Sequence, residues 1–151
     1  MNVVYLSGLI STEYLESLTW RASVEPVLVE AGFQVLSPMR GKDNLVNLTT
    51  NGGLTDPRLT DGDIVLRDYR DILDSDIILA HLETFGSPRP LLGTIAELGW
   101  GWSNHTPIVG VAHPGNLLMR THPFITRFVS HFCQDVEDAV DFVIQHYSRR
   151  P

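Results

Sequence analysis

One cysteine, Cys133, is the whole thiol content of the chain. No intrachain disulfide can brace the fold, and the role expected of Cys133 is that of a buried free thiol. Basic residues are also scarce: 11 Lys and Arg stand against 18 Asp and Glu, for a formal net charge of −7. A polyanion partner requires clustered Lys and Arg, so no nucleic-acid polymer is expected, whereas a small nucleoside or nucleotide is not excluded. No apolar run approaches the roughly 18 residues that a membrane span needs. The apolar start, Met1 to Ile10, has no basic leader and no cleavage site, and reads as a strand and not as a signal peptide. The expectation is a cytoplasmic protein without a membrane partner, in which the Asn-x-Thr matches at Asn47 and Asn104 have no bearing on glycosylation.

Several chemical signatures are missing too. The six histidines show no paired-ligand spacing, so no metal is expected. No G-x-G-x-x-G or Walker-type loop is present, which argues against a dinucleotide or nucleoside triphosphate site. No G-x-S-x-G is present, which argues against a serine hydrolase. No cofactor is expected.

What remains is an alternation of strand and helix signals over 151 residues, a length that suits a single domain spanning 1–151. Val3 to Leu6 is β-prone and ends in Ser7-Gly8. Ser11 and Thr12 offer an N-cap for a helix carrying Leu15, Leu18, Ala22 and Leu28, with a kink or break expected near Glu25 because Pro26 follows. Gly32 ends that helix, and Phe33 to Leu36 forms the second strand. The polar stretch Gly41–Asp63 exceeds the usual length of an unstructured connection and is expected to be a lid or interface segment. A short helix over Ile64–Leu73 follows, then strands over Asp76–Ala80, Pro107–Val111 and Phe128–Phe132. The last helix is marked by Val136, Ala139, Val140, Val143, Ile144 and Tyr147 on one face, with Asp135 as its cap. This order predicts an α/β fold: a flavodoxin-like (Rossmann-like) parallel five-stranded sheet, order 2-1-3-4-5, with helices on both faces.

The most informative segment is Gly93-Thr94-Ile95-Ala96-Glu97-Leu98-Gly99. It follows the third strand and opens a helix near the C-terminal edge of the sheet, where ligands bind in open α/β folds. Glu97, expected in the first helical turn, has two readings. Thr94-x-x-Glu97 is a capping box, the commoner meaning of this heptapeptide alone, and a carboxylate at this edge is also a nucleophile or base. Tyr5 is expected to project near Glu97, or to be an ordinary core tyrosine. Asp68 precedes the third strand and either joins Glu97 at one pocket, as carboxylate pairs do in glycosyl transfer, or lies on a solvated helix face. Trp100 and Trp102, two residues apart, cannot share a helix face, so one is expected in the core and the other at a subunit interface.

Taken together, Val4-Tyr5-Leu6-Ser7-Gly8, Trp20-Arg21, Asp68 with Ser75-Asp76, Gly93-Thr94-x-x-Glu97-x-Gly99, and Asn116 with His122-Pro123 resemble the nucleoside 2-deoxyribosyltransferase family, over about residues 3 to 125. The resemblance implies that Glu97 attacks C1′ of a deoxynucleoside to form a glycosyl-enzyme intermediate, and that a second base takes the sugar with net retention. It implies Asp68 as the acid for the leaving base, Tyr5 as the group that orients Glu97, and Asn116 as a sugar-binding residue supplied between neighbouring subunits. Substrate-binding roles follow for Ser7, Gly8 and Gly93, and are expected at Leu91, where the chain departs from the family, with Ser87 or Arg89 as the substitute. The implied partners are a deoxynucleoside, a free nucleobase and further copies of the chain, in a homo-oligomer built from dimers, up to a tetramer or hexamer. These upstream matches favour catalysis over capping at Glu97, since a capping box does not account for them.

Leu91 departs from the pattern. Well-known transferases carry an aspartate there that reads the base, and related nucleotide hydrolases carry a serine that contacts a 5′-phosphate. The rival readings are a nucleoside 5′-monophosphate N-glycosidase using the same Glu97, and a nucleotide-sensing module without turnover. Cytokinin-activating phosphoribohydrolases share Gly-Thr-x-x-Glu, but they have Pro-Gly-Gly before it where this chain has Pro90-Leu91-Leu92.

Overall fold

A computed structural model describes residues 2–40 and 58–148. In chain order its elements are β1 (Val3–Gly8), α1 (Glu16–Glu30), β2 (Gln34–Leu36), α2 (Asp61–Leu73), β3 (Ile77–His81), α3 (Leu92–Ser103), β4 (Ile108–Val111), α4 (Leu117–Thr121), α5 (Pro123–Phe128), β5 (His131–Cys133) and α6 (Val136–Tyr147). All four strand pairings are parallel, in the order β2-β1-β3-β4-β5. This is the doubly wound arrangement expected from the alternation of signals.

Side chains alternate across a strand, and here the alternation divides the core in two. Val4 and Leu6 of β1, Ile77 and Leu79 of β3, and Val109 and Val111 of β4 meet Trp20, Val24 and Leu28 of α1 and Ala139, Val140 and Val143 of α6. The intervening residues Tyr5, Ile78, Ala80 and Ile108 meet Ile72 of α2, Leu98 of α3 and Ile125 of α5. Both faces of the sheet are therefore covered, as strands apolar along their whole length require. Cys133 is buried among the first group, and its thiol is pushed up to about 12, mainly by burial. It is an inert core thiol.

The structure corrects several boundaries. α1 begins at Glu16 without a side-chain cap, and Ser11 and Thr12 do not serve it. Instead the Ser11 N–H donates to Ser17 Oγ, which donates back to the Ser11 carbonyl (3.0 and 2.9 Å). The helix runs through Pro26 without a break. Pro26 and Ala22, whose carbonyl loses its partner, both lie on the solvent side, where water can satisfy it. Gly32 ends the helix as expected, at φ +92°.

Residues 41–57 of the expected Gly41–Asp63 lid lie outside the described residues, but its end is helical. The Thr60 hydroxyl accepts from the Asp63 N–H and Asp63 accepts from the Thr60 N–H, a capping box that opens α2 three residues before Ile64. The fifth strand is His131–Cys133 and not Phe128–Phe132. Pro123 at the first helical position and His122, which accepts from the Phe124 N–H, start α5, and that helix absorbs Phe128.

Candidate active site

β1 ends in Ser7 and Gly8, and β3 ends beside it with Gly8 opposite His81. A side chain at Gly8 would be crowded: a Cβ would lie 3.2 Å from both His81 Cβ and Trp20 Cζ2. This close approach lets the end of β1 floor a cleft of about 270 Å³, whose walls include Pro38, Asp68, Leu91, Gly93 and Glu97. The loop from β3 reaches α3 through two left-handed residues, Phe85 and Gly86.

α3 starts at Leu92, with Leu91 at the cap position and no side-chain cap. This removes the capping reading of Thr94-x-x-Glu97. Thr94 lies inside the helix, and Glu97 sits in the second turn, not the first. Glu97 is turned inward and 8% exposed. Its Oε1 accepts from Ser7 Oγ at 3.4 Å, while its Oε2 and the Tyr5 hydroxyl are both buried without a hydrogen-bond partner. The phenol is the carboxylate's neighbour and bears directly on its ionisation. Buried polar atoms without partners are rare in folded proteins, and these two lie side by side, with Glu97 at the cleft wall.

The electrostatics of the site follow from its burial. Desolvation raises the Glu97 carboxyl, as does the nearby Asp68; Tyr5, Arg21 and Ser7 oppose them, and the net position is about 7. Burial, with Glu97 and Asp68 nearby, drives the Tyr5 phenol far above its ordinary value, so it remains a neutral donor. Asp68 enters from α2, and Arg67 contacts it at 3.3 Å while donating to the carbonyls of Pro38 and Arg40. Arg67 thus ties the loop after β2 to the same wall. Arg40 in turn pairs with Asp71 at 2.9 Å.

Not every expected site residue converges here. Tyr5, Ser7, Gly8, Asp68, Leu91, Gly93 and Glu97 do. Arg89 is exposed and lies outside the cleft, its N–H donating to Ser87 Oγ. Asn116 caps α4: its Oδ1 accepts from the Met119 N–H and its Nδ2 donates to the Leu82 carbonyl, both at 3.3 Å. It does not line the cleft of its own chain. The residue missed as part of the site is Arg21, 2% exposed and lowered by burial to about 10, hence a cation at neutral pH. Its signal in the sequence was a charge at a core position, three residues after Leu18 and three before Val24. Among the described residues no cluster of three His, Cys, Asp or Glu side chains is placed to hold a metal ion, and no helix is long and apolar enough to cross a membrane.

No protein-family model matches the chain, and no curated protein matches its sequence. Solved structures do match it in shape. A 2-deoxyribosyltransferase from Leishmania mexicana superposes with a TM-score of 0.70 at 16% identity, over 97% of this chain and 99% of that one. A 2-deoxyribosyltransferase from Bacillus psychrosaccharolyticus gives 0.64 at 20% identity, over 92% and 90%. A CMP N-glycosidase from Clostridium botulinum gives 0.61 at 16% identity, over 96% and 100%. The chain shares the fold of these proteins along nearly its whole length.

Proposed function

We propose that this protein is an N-glycosyl-processing enzyme, and specifically a nucleoside 2-deoxyribosyltransferase that moves a 2-deoxyribosyl group between nucleobases through Glu97. The observation that carries the reading is Glu97 itself: a carboxylate not used as a helix cap, held by Ser7 at one oxygen, unpartnered at the other, and facing a cleft it shares with Asp68. The nucleosidic and nucleotidic activities named for structures of the same fold support it. In the proposed reaction a Glu97 oxygen forms a bond to C1′ as the C1′–N bond breaks. The departing base takes the electron pair, and a proton from Asp68. A second base then attacks C1′, regenerating the carboxylate and returning a proton to Asp68. Two displacements give net retention, and the positive charge developing at C1′ is stabilised by the facing carboxylate.

Incubation with a 2′-deoxynucleoside and a second free base tests this directly. Base exchange, loss of exchange in a folded Glu97→Ala variant by several orders of magnitude, and a deoxyribosyl adduct on Glu97 by mass spectrometry are the expected results. Wild-type exchange in Glu97→Ala would end the proposal. A second reading, hydrolysis of a nucleoside 5′-monophosphate, is supported by the CMP N-glycosidase of the same fold; Leu91 matches neither the transferase nor the hydrolase pattern. Release of free sugar phosphate without exchange would select it. A ligand that binds equally well to Glu97→Gln, with no turnover by the wild type, would point to a sensing module.

A further inference from the structure

The end of β1 leaves two carbonyls without a strand partner. Asn2 turns its carbonyl towards β2, where it accepts from the Gln34 N–H, and Val3 turns its carbonyl towards β3, where it accepts from the Asp76 N–H (3.0 and 2.9 Å). By the same alternation Leu6 and Gly8 face the β2 side. β2, however, stops pairing at Leu36, opposite Tyr5. Arg21 occupies the gap. Its Nε donates to the Leu6 carbonyl at 3.2 Å and its Nη2 to the Gly8 carbonyl at 2.8 Å, while Nη1 is anchored on the Ser17 carbonyl at 3.1 Å. The two strand carbonyls flank Ser7, whose hydroxyl donates to Glu97.

A neutral donor would satisfy these carbonyls, and burying a guanidinium is costly. The charge therefore calls for a second explanation, and the surroundings supply one. Arg21 is faced by Tyr5 of β1, Asp68 of α2, Glu97 of α3 and His81 of β3, and the last is held neutral, at about 4, by burial and by the arginine. Glu97 is faced by Tyr5, Ser7, Asp68 and Arg21, of which Arg21 alone is a cation.

We propose that Arg21 is a positioning residue for Glu97: from α1, on the other face of the sheet, it completes the edge of β1, fixes Ser7 on one carboxylate oxygen and sets a permanent cation behind the carboxylate. The name nucleophile for Glu97 rests on the function proposed above, but the link between Arg21 and Glu97 does not.

The test follows the Glu97 carboxyl by carbon NMR across pH in the full chain, without substrate, with Glu97→Gln supplying the assignment. Arg21→Lys keeps the charge, and Arg21→Gln keeps a donor without it. The Glu97 midpoint is expected to rise by about one pH unit in Arg21→Gln and by less in Arg21→Lys. The acid limb of kcat/KM for base exchange should move with it, and kcat should change more than KM. Ser7→Ala, which leaves the Arg21 bonds in place, should also raise the midpoint. A folded Arg21→Gln that titrates like the wild type would reduce Arg21 to a cap on the sheet edge. Should that variant not fold, the wild type still decides: the Arg21 side-chain nitrogen resonances must shift with the Glu97 midpoint, and a flat response overturns the proposal. A wild type with this coupled titration but no base exchange would end the transferase reading and leave the inference standing.

Discussion

In the proposed reaction Glu97 carries the chemistry, and its burial has consequences at two levels. A nucleophilic carboxylate must be ionised to attack. With its midpoint raised to about 7 by desolvation, kcat/KM for exchange is expected to fall as pH drops below neutrality. Asp68 contributes to that elevation, so Asp68→Asn should move the acid limb to lower pH while slowing transfer most for poor leaving bases, which depend most on a general acid. Equal slowing for activated and unactivated bases would leave Asp68 a structural role only. Stability carries the same signature with a defined sign. The folded-state pKa of Glu97 lies above its ordinary 4.5, so the stability associated with this carboxyl is complete below about 4.5 and is lost as pH rises through about 7. Glu97→Gln should therefore gain on the wild type as pH rises from 5 to 8, by up to roughly 3 kcal/mol. Denaturant titrations at the two pH values measure it, and no gain would mean that the carboxyl is not desolvated.

At the scale of elements, α3 decides where Glu97 stands, and α3 is seated through a glycine. A Cβ built on Gly101 would meet Ile78 Cδ1 at 2.3 Å and Ile108 Cδ1 at 3.4 Å, so this turn of the helix lies directly on β3 and β4. Gly101→Ala should cost about 1–2 kcal/mol, because the Ile78 methyl end must move within a filled core, and Gly101→Val more. The displacement should also lower exchange activity beyond what the remaining folded fraction explains; activity that follows the folded fraction alone would separate the seat of the helix from the site. The Pro26 and α5 boundaries show why local signals misled at this scale. Pro26 was legible as a helix breaker, but only packing shows that its turn faces solvent, where a freed carbonyl is harmless. Phe128 and Phe132 read as one apolar strand, whereas the capped proline start at His122-Pro123 extends a helix into the first of them.

At the scale of the whole molecule, the α3–α4–α5 side leaves large apolar residues in water: Leu92, Trp102, Leu118 and Phe124 are all about half exposed or more. Trp102 and Phe124 line one groove there, and Phe124 and Leu118 an adjoining one. Trp100 is partly buried against the core beneath, while Trp102 is about half exposed. We propose that this side joins copies of the chain and that Asn116, at the start of α4, reaches a neighbouring cleft. Two inactive variants should then rescue one another. Mixing Glu97→Ala with Asn116→Ser, which keeps an oxygen to cap α4, should restore part of the activity, because a mixed pair can place both defects in one site and leave the other whole. Activity that stays at the level of the separate variants after verified subunit exchange would mean that each chain builds its own site. Trp102→Asp combined with Phe124→Asp should lower the sedimenting mass, and an unchanged mass would place the interface elsewhere.

Hydrophobic periodicity and the turn residues between the runs were enough to determine the strand order and the two covered faces, because those depend on patterns that recur every two or four residues and on the fixed hand of parallel crossovers. Gly93-Thr94-x-x-Glu97 likewise pointed to Glu97, with Tyr5 and Asp68 as its neighbours, while the bond from Ser7 to Glu97 came only with the structure. What only the tertiary structure decided was how each polar group is satisfied. Thr94 and Glu97 have the spacing of a capping box, yet α3 begins at Leu92, so the carboxylate is left for the cleft, while the box that does form lies at Thr60 and Asp63. Arg89 is close to Gly93 in sequence but is exposed, whereas Arg21, 76 positions before Glu97 by their numbering, is buried near enough to act on its ionisation. Burial and hydrogen bonding depend on which distant segments meet, and in this chain they meet where β2 ends short and Arg21 takes its place.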